Sequence, residues 1–103
     1  MFLIAAGPDD PGVVERDPKQ LVVDVGRRVA ELRMNAGLTQ EQLAVALRVS
    51  TRWVQRLEQR GENLTLHTLV KLANTLEVTP QSLLDEPSPE ARAARGPGRP
   101  PKR

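Results

Sequence analysis

The sequence predicts an all-α fold, a compact domain of five helices set between a flexible N-terminal arm and a disordered basic C-terminal tail. Three observations carry this. The apolar residues are mostly Leu, Val and Ala, and Phe2 and Trp53 are the only aromatics. Ala and Leu favour helices, whereas strands draw on β-branched and aromatic side chains. Apolar residues recur at intervals of three and four, and no strand pattern appears. Finally, Asp17, Thr39, Ser50, Thr65 and Thr79 each stand just before such a segment, where a side-chain oxygen can cap free backbone N–H groups.

Residues 1–16 contain the run Gly7-Pro8-Asp9-Asp10-Pro11-Gly12 and no period, and they read as a flexible arm. The first helix starts at Asp17-Pro18-Lys19-Gln20: Asp17 caps, Pro18 suits the first helical position, and Gln20 can reach back to complete a capping box. It runs to about Ala36, with Leu21, Val25, Val29 and Leu32 on one face, slightly weakened by Gly26 and stopped by Gly37. Thr39 and Gln42 form a second box, opening a short helix over Gln40–Leu47 that buries Leu43, Ala44 and Leu47. Ser50 caps the third helix, about Thr51–Gln59, which buries Val54 and Leu57. After a loop over Arg60–Leu64, Thr65 caps the fourth, Leu66–Leu76, with Leu66, Leu69, Leu72, Ala73 and Leu76 inward. Thr79-Pro80 opens a short fifth helix that offers Leu83 and Leu84. The domain is thus expected over residues 17–85. Residues 86–103 are rich in Pro, Ala and Arg and bury too little apolar surface to fold alone.

Composition removes several function classes. There is no cysteine and one histidine, His67, so neither a thiolate nor a multi-histidine metal site is available, and no disulfide framework exists. No phosphate-cradling glycine loop and no acid–base constellation is present; no cofactor and no enzymatic activity is expected. The apolar start Met1–Ala6 is too short to span a membrane and lacks the positive start of a signal peptide. The reading is a cytoplasmic, nucleoid-associated protein. The formal charge of +2 is uneven. Residues 1–24 hold five acids against two bases, residues 25–84 eight bases against five acids, and residues 85–103 five bases against three acids. A basic body and tail suit a polyanionic partner.

The second and third helices are short and separated by about three residues, which is helix-turn-helix spacing. Ala44 is the small residue needed where they cross. Arg48, Arg52, Arg56 and Arg60 recur every four residues. Steps of four drift by only about 40° around a helix, so Arg52 and Arg56 share one stripe, opposite Val54 and Leu57. Thr51 and Gln55 lie beside it. Arginine can grip guanine O6/N7 with two hydrogen bonds, and glutamine can do the same with adenine. The competing reading is a solvated charged face. Trp53, beside Val54, either packs against neighbouring helices or meets DNA backbone or a partner. His67 falls on the outer first turn of the fourth helix.

The segments Val25-Gly26-Arg27-Arg28-Val29-Ala30-Glu31-Leu32-Arg33, Gly37-Leu38-Thr39-Gln40-Glu41-Gln42-Leu43-Ala44, Leu57-Glu58, Asn63-Leu64-Thr65-Leu66-His67-Thr68-Leu69 and Leu72-Ala73-Asn74-Thr75-Leu76-Glu77-Val78 follow in order. Together they resemble the Cro/repressor, or xenobiotic-response-element, family of helix-turn-helix proteins over about residues 21–85. The resemblance implies a lambda-repressor-like five-helix domain that binds double-stranded DNA, usually a palindromic operator, as a homodimer. It implies a phosphate contact at Gln40, base reading early in the third helix (Thr51 and Arg52, then Gln55 and Arg56), and phosphate contacts at Arg60 and Asn63, with Ser50 also counted among the DNA-binding residues. It pairs Arg33 with Glu58 structurally. Two positions depart from the pattern, since Arg48 and Arg60 stand where glycine is usual. In the tail, Gly98-Arg99-Pro100 partly resembles an AT-hook, which would lay Arg99 into a narrow minor groove; a basic tail touching phosphates is the alternative.

The function expected is sequence-specific DNA binding that regulates transcription, most simply as a repressor. The alternative is a protein-interaction module, such as an antitoxin, controller or adaptor, whose bundle or tails grip a protein partner.

Overall fold

The computed structural model describes residues 16–93, and these fold into helices without any strand. The elements are α1 (Pro18–Asn35), α2 (Gln40–Leu47), α3 (Thr51–Arg60), α4 (Leu66–Leu76), a 3-10 helix (Pro80–Leu84) and α5 (Pro89–Ala93). Of the arm expected over residues 1–16 and the tail expected over residues 86–103, residues 1–15 and 94–103, Arg99 among them, lie outside the described residues.

Helix starts follow local chemistry. The Asp17 carboxylate accepts the Lys19 N–H at 3.2 Å, and Pro18 opens α1. Thr39 and Gln42 form a complete reciprocal box, with the Gln42 N–H on Thr39 Oγ1 at 3.0 Å and the Thr39 N–H on Gln42 Oε1 at 2.8 Å. Ser50, Thr65 and Thr79 cap α3, α4 and the 3-10 helix through the N–H three residues on. The box expected at α1 is incomplete. Gln20 turns forward, donating to Asp24 Oδ1 at 2.9 Å. Asp24 is buried and faces Arg16, so its carboxylate needs the amide donor, whereas the exposed Asp17 N–H can donate to water.

Val25, Val29, Leu43, Ala44, Leu47, Val54, Leu57, Leu69, Leu72, Ala73, Leu76 and Leu83 form one buried cluster. Two leucines depart from expectation. Leu66 is 80 % exposed. At 100° per residue it lies about 70° from the centre of the arc occupied by Leu69, Leu72, Ala73 and Leu76, at the rim beside exposed Val70. In the fifth segment a 3-10 helix replaces the expected helix and separates its two leucines. Leu83 is wholly buried and unavailable to a partner, while Leu84 stays exposed.

The turn between α2 and α3 places Arg48 in the left-handed region, φ 62° and ψ 43°, where its N–H closes α2 by bonding the Val45 carbonyl at 3.1 Å. A Cβ is disfavoured there. Arg48→Gly is therefore expected to raise stability by about 1 kcal/mol, partly offset by the freer unfolded chain. Urea denaturation checks this; a lowered midpoint would refute the strain.

The folded unit continues past residue 85, where the sequence places a disordered tail. Pro87 is buried, Ser88 Oγ accepts the Ala91 N–H at 3.1 Å, and α5 packs against α1. A polar relay also holds this segment. Arg28 donates to Ser82 O at 2.8 Å and to Glu31 Oε1 at 3.1 Å, and Glu31 accepts the Ser88 N–H at 3.3 Å. Partial burial pushes the Glu31 pKa up, but the Ser88 bonds and Arg28 outweigh it and hold it below the ordinary 4.5. A lowered folded pKa means that this stabilisation is complete above 4.5 and fades as pH falls through the lowered value.

Candidate nucleic-acid interface

α3 is held firmly on its inner side. Val54 and Leu57 are fully buried, and Trp53 is half-buried against the same core. Gly26 of α1 sits so close to α3 that a Cβ on it would overlap the Leu57 carbonyl oxygen. Arg27 Nη1 donates to the Glu58 carbonyl at 3.0 Å. The end of α3 is thus clamped to α1 by backbone contact.

Arg33 and Glu58 form the second clamp. Arg33 Nε meets Glu58 Oε2 at 2.7 Å and Nη2 meets Oε1 at 3.0 Å, a forked pair. Their side chains are 12 % and 6 % exposed. Arg33 Nη1 also donates to Leu38 O at 2.8 Å, and Gln40 Nε2 donates to Glu58 Oε1 at 3.0 Å. One cluster therefore ties the end of α1, the turn before α2, the start of α2 and the end of α3. Gln40, assigned to a phosphate from the sequence, spends one amide hydrogen inside this cluster and retains the other.

The outer side of α3 differs. Arg52, Gln55 and Arg60 are exposed, Thr51 and Arg56 half-exposed. Arg52, Gln55, Arg56, Gln59 and Arg60 border a concavity of about 370 Å³. Arg60 is the last residue of α3, so it prolongs the Arg52–Arg56 stripe; Arg48 precedes the helix in the turn and does not. Ser50 Oγ accepts the Trp53 N–H at 3.0 Å, leaving its hydroxyl proton available. Asn63 is exposed in the loop after α3, and His67 is exposed on the first turn of α4. Among the described residues no acid pairs with Arg52, whereas Arg56 Nε donates to Glu62 Oε2 at 3.2 Å. Sequence reasoning missed Glu62, because a six-residue separation across a helix end belongs to no helical spacing. It likewise missed Gly26, legible only as a weak point in a helix. No group of three or more metal-ligating side chains occurs among the described residues, and none of their helices is long and apolar enough to cross a membrane.

Comparison with known proteins agrees with this architecture. A family model described as a helix-turn-helix domain matches residues 24–86. The restriction-modification controller protein C.AhdI from Aeromonas hydrophila is 35 % identical, with a TM-score of 0.56 over 60 % of this chain and 94 % of that one. C.Esp1396I, solved as a nucleoprotein complex, is 27 % identical with a TM-score of 0.56, covering 61 % and 82 %. The hypothetical transcription factor NHTF from Neisseria is 27 % identical with a TM-score of 0.59, covering 79 % and 92 %. No curated protein matches the sequence. With well over half its length matched and its second and third helices packed in the expected order, the chain belongs to the helix-turn-helix domain family.

Proposed function

We propose that this DNA-binding regulator of transcription reads the major groove of duplex DNA with the outer face of α3, most simply as a repressor. One observation carries the reading: the inner side of α3 is fixed by core and clamp, and its outer side offers Arg52, Gln55, Arg56 and Arg60 to solvent. Arg52 and Arg56 grip guanine edges and Gln55 an adenine edge, with Thr51 beside them. Ser50, the free amide hydrogen of Gln40, Arg60 and Asn63 bind phosphates, which fix register without reading sequence. Arg99 adds a tail contact. The neighbour C.Esp1396I, solved as a nucleoprotein complex, supports a nucleic-acid partner.

The regulator acts as a homodimer on a palindromic operator. Exposed Leu66 and Leu84 line one apolar cleft of about 170 Å³, and exposed Val70 lies one turn further along α4. A second copy covering this patch would present two α3 helices to successive turns of the duplex.

Selecting bound duplexes from a random pool tests both statements. A palindromic consensus is expected; recovery of no consensus would remove the sequence-specific reading. On the selected site, Arg52→Ala is expected to lose about 1–3 kcal/mol of specific binding and to relax preference at one base position. Unchanged preference at every position would contradict the assignment of α3.

A further inference from the structure

We propose that Glu62 is a positioning residue for base reading. It holds the Arg56 guanidinium by Nε, leaves the two Nη groups for a base edge, and raises discrimination between bases while lowering general affinity for DNA. The proposal rests on the reading of α3 as the DNA-reading helix.

The geometry starts with the chain reversal after α3. The helix ends at Arg60, and Gly61 turns the chain with φ 85°. A Cβ on Gly61 would lie 2.6 Å from the Val22 carbonyl oxygen, so the turn is pressed against α1 and has little room to shift. Glu62 follows at once. It lines the apolar cleft together with Leu21, Val22, Leu64 and Leu66. Its carboxylate reaches back to Arg56 Nε at 3.2 Å, with the two side chains 38 % and 32 % exposed.

A guanidinium offers two edges for paired hydrogen bonds, one made by Nε with an Nη and one made by both Nη groups. Glu62 engages the first. The second remains and matches guanine O6 and N7. Fixing the long side chain beforehand removes rotamer freedom that base contact would otherwise have to remove. The same carboxylate keeps Arg56 off the phosphates and repels them itself, so binding to any sequence weakens. Arg52, one turn earlier, has no acid partner among the described residues and stays free for either role. A half-exposed ion pair adds little to folding stability. Its effect is therefore sought in selectivity, not in the melting temperature.

The test uses the full chain and measures fluorescence anisotropy on a selected operator duplex and on a scrambled duplex, across a salt series. For Glu62→Ala the ratio of operator to scrambled affinity is expected to fall roughly tenfold, towards the lower end of what one bidentate base contact discriminates. Binding to the scrambled duplex is expected to tighten, with its salt slope steeper by about one as Arg56 swings to a phosphate. Glu62→Gln, which keeps a carbonyl acceptor for Nε, should retain most of the ratio. In an Arg56→Ala background, Glu62→Ala should leave the ratio unchanged. Equal tightening on both duplexes would overturn the proposal, since Glu62 would then only repel DNA. So would an equal fall in the ratio with and without Arg56. A wild-type chain that does not distinguish the two duplexes would defeat the functional reading itself, and this inference with it.

Discussion

Replacing Glu58 with alanine is expected to cost about 3–5 kcal/mol of stability, because it strands a largely buried guanidinium. Arg33 keeps only the Leu38 carbonyl at 2.8 Å, and Gln40 loses its acceptor. Arg33→Ala strands the carboxylate instead, with Gln40 as its remaining side-chain donor among the bonds described. Small domains are stable by about 5–15 kcal/mol in total, so either change threatens folding at physiological temperature. The two losses should not add, since each single change already breaks the same forked pair. Chemical denaturation of the two single variants and the double variant measures this. A double variant that loses the sum of the single effects would show two independent contributions and refute the cluster. DNA binding should fail in step with unfolding, because the cluster joins the end of α3 to α1 and the start of α2.

Gly26→Ala is the second large effect, and here two principles give opposite signs. In the interior of a helix, Ala is better than Gly by about 1 kcal/mol, so helix propensity alone says that the variant is more stable. Packing says the reverse. The added Cβ would overlap the Leu57 carbonyl oxygen and approach Gly61 Cα at 3.4 Å. Those atoms are backbone, so no rotamer change relieves the overlap, and α1 and α3 must separate. Overpacking a core typically costs about 1–3 kcal/mol, and more where backbone must move. The clash should win, leaving Gly26→Ala less stable by about 3 kcal/mol. Thermal unfolding checks the sign: a raised midpoint would mean that α1 and α3 have room to spare.

The elements themselves were legible because caps and periodicity are local. The bounds Gln40–Leu47 and Leu66–Leu76 agree between sequence and structure, and α3 runs one residue past the expected Gln59. Each follows from a Ser or Thr oxygen reaching an N–H three residues away, a contact that a short stretch of chain makes alone. The outward stripe of Arg52 and Arg56 was legible for the same reason, being a matter of helical angle. The Arg33–Glu58 pair was not read from spacing; it came through family resemblance, since 25 residues separate the partners.

The sequence by itself determined that α1 to α4 are helical, where they begin, and which side of α3 faces the core, because those depend on a few neighbouring residues. Only the tertiary structure decided the rest. It placed Leu66 at a rim and Leu83 in the core, and it showed that Gly26 is the point of contact between α1 and α3. It turned Gln40 towards Glu58 and Glu62 towards Arg56, and it carried the folded chain through Pro87 to α5. Each of these outcomes depends on distances between residues far apart along the chain or across a turn, and such distances are set only when whole helices pack.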